Sequence, residues 1–229
     1  MAIALLALGI GVAGCGSSSS SSKNASGTSA ASNTSPATTS AKPQSKVAPR
    51  TFPAGPNPTI ASYIQQNGIT ETPVHRGDPG APTINLPIPD GWADAGPDTP
   101  AAAYWAIVDN GPEAAKYTPS IVATVSKLVG NVDQQKLLDV AAGDLKNLPG
   151  FKAMGDDSTT TTFANFPASQ LGGTWTQGGQ TKAIAQKTVV IPGSGGVYLL
   201  QLSADCLDNQ IDQALPATMT IDDKATVAL

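Results

Sequence analysis

No aspartate or glutamate occurs in this chain before Glu71, and no lysine or arginine among its first fourteen residues. It has one histidine, two cysteines and few aromatic residues, 5 % of its 229 positions. Each scarcity excludes something. GIGVAG (9–14) satisfies the spacing of a dinucleotide-binding turn at Gly9, Gly11 and Gly14. Such a turn needs a helix after it and an acidic residue about 20 positions on. Six serines, Ser17–Ser22, follow instead, and a serine run has no apolar stripe to dock on a sheet. A single histidine, His75, rules out a histidine pair or cluster, and no Cys or Glu stands near it at ligand spacing. It reads as an exposed strand-end residue. With Cys15 taken by lipid, as read below, Cys206 has no partner and the domain no internal disulfide. No basic cluster is present to neutralise phosphates, which excludes nucleic acid as a partner.

What is present begins with an apolar stretch closing on Val12-Ala13-Gly14-Cys15. Small residues before a cysteine fit a lipoprotein cleavage site, with residues 1–14 as the signal peptide and Cys15 as the lipid attachment point. Fourteen residues are too short to span a bilayer as a helix, and the missing positive charge departs from the usual opening of such a segment. From Cys15 to residue 55 the chain is rich in Ser, Thr, Ala and Pro and nearly free of large apolar side chains. It reads as a disordered tether with a root-mean-square span of roughly 35 Å. The expected location is therefore exported and lipid-anchored to the outer face of the cell membrane.

Charge divides the same way. The tether carries Lys23, Lys42, Lys46 and Arg50 and no acid, whereas residues 56–229 carry nine basic and seventeen acidic residues. A basic tether beside anionic lipid and an acidic body in water are compatible. The 174 residues from 56 onward suffice for one domain with its own core, and no internal repeat is visible.

Thr59 caps a helix whose Ile60, Tyr63 and Ile64 share a face and which Asn67-Gly68 ends. Two extended segments follow around the turn GDPG (77–80), with Pro87 and Pro89 pushing the second toward a sheet edge. AYWAIVDN (103–110) and SIVATVSKLVG (120–130) read as strands. From Asn131, with Gln134 as its box partner, one helix is expected through Leu137, Leu138, Ala141, Leu145 and Leu148 to the stop at Pro149-Gly150. After a polar turn at 155–157 come three strands, TTTTFANFPASQLGGTW, TKAIAQKTVVIP and GVYLLQLSA, with hairpin turns at QGGQ (177–180) and GSGG (193–196). A last helix from about Leu207 is expected to break or kink at Pro216. Hairpin-joined strands with helices set apart give an α+β class with an antiparallel sheet.

Chemistry is hard to find. Ser194 sits in a turn without the spacing of a nucleophile elbow, and Cys206 reads as a buried small apolar residue. Asp90, Asp94 and Asp98 lack calcium-loop spacing. Asp205, Asp208 and Asp212 read as solvated or capping residues near a helix start. No catalytic residue, metal site or cofactor is expected. Trp92, Tyr104, Trp105, Trp175 and Tyr198 come from separate segments and are the candidates for lining one apolar ligand cavity; filling the core is the plainer alternative.

The stretches TIASYIQQNGITETPVHRGDPGAPTINLPIPDGW, VSKLVGNVD, LKNLPGFK, QLGGTW, AQKTVVIPG and YLLQLSAD, in that order, resemble the mycobacterial LpqN/LpqT lipoprotein family over residues 56–229. The resemblance implies a Mog1/PsbP-like α/β/α sandwich, a mainly antiparallel sheet flanked by helices. It also implies a non-catalytic cell-envelope lipoprotein that binds or presents trehalose mycolate or another acyl lipid in mycomembrane biogenesis. A mycolate exporter or mycolyltransferase would be its partner. Two other roles stand beside this one: a docking adaptor for that machinery through the acidic surface, and a surface antigen contacting host proteins.

Overall fold

The computed structural model describes residues 45–155 and 158–229. The signal peptide, Cys15, most of the tether and part of the polar turn at 155–157 lie outside these. A helix α1 (Ile60–Gln66) opens the domain, followed by short strands β1 (Thr70–Pro73), β2 (Thr83–Asn85) and β3 (Trp92–Asp94). Then come β4 (Trp105–Asp109), β5 (Ser120–Val129), the helices α2 (Gln134–Val140) and α3 (Gly143–Lys146), and β6 (Lys152–Ala153) and β7 (Thr159–Phe163). Three long strands follow, β8 (Phe166–Gln177), β9 (Gln180–Gly193) and β10 (Gly196–Leu207), before α4 (Ile211–Lys224) and β11 (Thr226–Ala228).

Among the described residues nine strands form one sheet, in the order β3-β4-β5-β10-β9-β8-β6, and every pairing is antiparallel. Two long strands are each lined along one edge by two short ones. β4 and β1 share the edge of β5, and β7 and β6 share that of β8. β2, the proline-flanked segment, leaves the large sheet and pairs with the tail strand β11. The class is α+β, with helices on both faces of an antiparallel sheet.

The period-2 alternation of β10 feeds two cores. Tyr198, Leu200, Leu202 and Ala204 point to the face covered by α4, joining Trp105, Ile107, Ile121, Val189 and Ile221. Val197 and Leu199 point to the other, where α1 and α2 bring Ile60, Ile64, Leu137 and Leu138 over Leu128 and Val190. Beside them Leu145 of α3 and Leu148 just past its end pack against Ile184 and Trp175.

Several expectations are corrected. The helix from Asn131 is capped by Asp133, whose carboxylate accepts from the backbone N–H of Gln135 and Lys136. It is also two helices. The chain bends at Ala141-Ala142 because Gly143 lies against the backbone of Pro58, where a Cβ would sit 1.8 Å from the Pro58 carbonyl oxygen. TTTTFANFPASQLGGTW holds two strands, joined by Ala164-Asn165, both with positive φ. That pair makes the same kind of primed turn as Gly178-Gly179, without a glycine to announce it. The last helix runs unbroken past Pro216. The proline is exposed, so water can take the backbone carbonyl its missing N–H leaves free. Finally, the tether expected to reach residue 55 is packed before it gets there. Val47 is buried with Ala106, Val108 and Val122, and Phe52 packs on the α3 core, since these two side chains are large enough to repay the ordering of the backbone around them.

Candidate functional site

On the α4 face the helix does not close over the sheet. Ala214, Ala217 and Ile221 point inward and are buried. Beside that stripe a cavity of about 570 Å³ is left between α4 and strands β5, β8, β9 and β10. Its rim carries Leu215, Met219 and Met154, which are 53 %, 57 % and 46 % exposed. Three large apolar side chains held in water around one opening are an unsatisfied surface, and such patches mark binding sites. The floor is Ile121, Leu202, Ala204 and the backbone about Gly172 and Ala185. The polar elements are few: an ion pair between Lys187 and Asp222 on the wall, and Thr159, Thr218 and Gln170. The volume is within the range of small-ligand sites, and the lining suits a flexible apolar chain.

The opposite face holds a second cavity of about 590 Å³, beneath the segment Ser45–Phe52, where Arg50, Asp98, Asp144 and Ser203 sit among apolar side chains. Next to it is a buried charged cluster. Asp205, 2 % exposed, accepts from the Tyr117 hydroxyl, and Lys182, 5 % exposed, donates to the same hydroxyl at 2.8 Å. Lys182 Nζ stands 3.8 Å from Asp205. Burial, reinforced by Asp205, raises the Tyr117 pKa, so its proton stays on. Asp205 is therefore a structural acceptor inside the sheet rather than a solvated or capping residue. Its neighbour Cys206 is buried against Ala183 and Ala214, and burial pushes its thiol up to about 12, which removes it as a nucleophile at neutral pH.

Trp92, Tyr104, Trp105 and Tyr198 come together in the α4-side core, whereas Trp175 packs on the other face. All five are buried, and none lines either cavity. Tyr104 and Tyr198 spend their hydroxyls on backbone, Tyr104 on Ile84 and Tyr198 on Gly80. His75 is exposed on the loop after β1, its backbone N–H donating to Asp78 Oδ2 at 2.7 Å. Among the described residues no group of three His, Cys, Asp or Glu is placed to hold a metal ion.

The groove residues Leu215, Met219 and Met154 escaped sequence reasoning. A signal for two of them existed: Leu215 and Met219 lie four apart on a helix whose inward stripe is Ala214, Ala217 and Ile221, so they form a second apolar line.

Fold and groove define an antiparallel α+β sandwich with an apolar cleft under its last helix, and no described helix is long and apolar enough to cross a membrane. The family model described as "Probable lipoprotein LpqN" matches residues 56–228, and the chain belongs to that family. It is 49 % identical over 174 residues to lipoprotein LpqN of Mycobacterium tuberculosis, covering 76 % of this chain and 75 % of that protein. The crystal structure of LpqN, described as involved in cell envelope biogenesis of Mycobacterium tuberculosis, superposes with a TM-score of 0.72 at 47 % identity. That match covers 76 % of this chain and all of the solved one. A proline-rich 28 kDa antigen homolog of Mycobacterium leprae is 26 % identical over 138 residues, 60 % of this chain and 49 % of that protein.

Proposed function

We propose that this protein is a lipid-anchored envelope lipoprotein that holds an acyl chain of a trehalose mycolate-type lipid between α4 and the sheet during envelope biogenesis, making and breaking no bond. The observation that carries the reading is the apolar cleft rimmed by Leu215, Met219 and Met154. Membership of the LpqN family supports the envelope setting. Each buried methylene contributes about 0.8 kcal/mol, so ten of them give about 8 kcal/mol, enough to offset much of the roughly 4–15 kcal/mol cost of association. An anchor at Cys15 would raise the effective concentration of membrane lipid around the cleft. A mycolate exporter or mycolyltransferase is the partner to which such a lipid would be passed.

Native mass spectrometry of the full chain from a mycobacterial host tests this. Co-purifying lipid is expected on the unaltered protein and its loss in Leu215→Asp/Met219→Asp. Bare unaltered protein would count against the reading, and turnover of trehalose esters by the purified chain would replace it with an enzyme.

A further inference from the structure

The cavity beneath Ser45–Phe52 has one cation among its described lining residues, Arg50, and its partners are incomplete. Nη2 donates to the Ser120 carbonyl oxygen at 3.0 Å and to Ser120 Oγ at 3.1 Å, both neutral acceptors. Nε and Nη1 are buried without a hydrogen-bond partner. Ser203 Oγ, which also belongs to the lining, is in the same condition. No described carboxylate lies within 4 Å of the guanidinium. The nearest charged cluster is already satisfied within itself, Asp205 being shared by Tyr117 and Lys182. Burial presses the Arg50 pKa down, partly offset by Asp205. A guanidinium does not lose its proton in a protein, so the charge stays and is left without a direct counter-ion, a costly arrangement for a buried group.

We propose that this cavity is an oxyanion site, taking a phosphate or carboxylate group on Arg50 with Ser203 Oγ as a second donor. Guanidinium is the group best matched to such oxyanions. The neutral amide of Gln201 adds a donor to the lining without adding charge. Asp98 and Asp144 line the same cavity and oppose an anion when ionised; burial raises the Asp144 carboxyl pKa. The site does not rest on the acyl cleft, because the sheet separates the two.

The anion can be free or the headgroup of a lipid, and titration calorimetry of the full chain at low ionic strength distinguishes them. The probes are inorganic phosphate, acetate and monomeric dihexanoyl phosphatidic acid. Binding of at least one is expected, weakened more than tenfold by Arg50→Gln and tightened at least threefold by Asp144→Asn. Phosphatidic acid binding more than tenfold tighter than phosphate identifies a lipid headgroup, and comparable binding identifies the free anion. Silence from all three probes on the unaltered chain overturns the proposal. So does binding that survives Arg50→Gln. Binding that Asp144→Asn leaves unchanged overturns it too, because loss in Arg50→Gln would then report only a displaced strap.

Discussion

The two faces of the sheet are covered by different means. On one side a single fourteen-residue helix, α4, lies over a large aliphatic and aromatic core and leaves an apolar cleft at its flank. On the other, three short helices and an extended strap cover three smaller cores, and the gap among them takes in the charged side chains of Arg50, Asp98 and Asp144. Strand alternation explains how one sheet supports both. Leu202 and Ala204 of β10 face α4, while Gln201, Ser203 and Asp205 face away. One covering element leaves large apolar side chains exposed at its flank; several pieces leave a seam that holds an incompletely partnered cation.

Core truncations should sharpen this contrast most. Leu200→Ala on the α4 face and Leu128→Ala on the other both remove fully buried side chains. Each should cost about 2–5 kcal/mol in urea unfolding, and a single transition of unchanged slope in both variants would show that the faces unfold as one cooperative unit. Gly143→Ala comes next. It drives a methyl into the Pro58 carbonyl oxygen and should destabilise by about 1–3 kcal/mol, read as a drop in thermal midpoint. Leu215→Asp should barely move stability, within about 0.5 kcal/mol, since the residue is exposed, while abolishing co-purified lipid in native mass spectra. A large stability loss there would make the cleft part of the core. The smallest effect is expected at Asp144. Burial raises its carboxyl pKa, so its stabilising contribution is full below the pKa of the unfolded carboxyl and is lost as pH rises through the folded value. Asp144→Asn, neutral throughout, should be more stable than the unaltered chain above that window and no more stable below it, as denaturant curves across pH would report.

Much of this contrast was legible in the sequence, though unevenly. Thr59 and Asn67-Gly68 bracket α1 as expected, and the glycine turns at 177–180 and 193–196 place the β8-β9-β10 meander. Local chemistry announces itself in such places. The Ala164-Asn165 turn did not, because residues other than glycine rarely hold positive φ. The break before α3 depends on Pro58, far away in sequence, and no periodicity contains it. The candidate sites were harder still. The aromatic residues expected to line a cavity are core fillers here because of their size, and the cleft is framed by methionine and leucine. Arg50 reads as tether charge until the fold sets it against Ser120, seventy residues on.

The short strands along β4, β5 and β8 leave the sheet little continuous edge. The outward backbone of the sheet is broken into runs of three residues in β3, four in β1, two in β6 and five in β7. A neighbouring molecule seeking to add itself to the sheet meets only fragments too brief to template its pairing. Copies of such a body can be crowded together without zipping into one another.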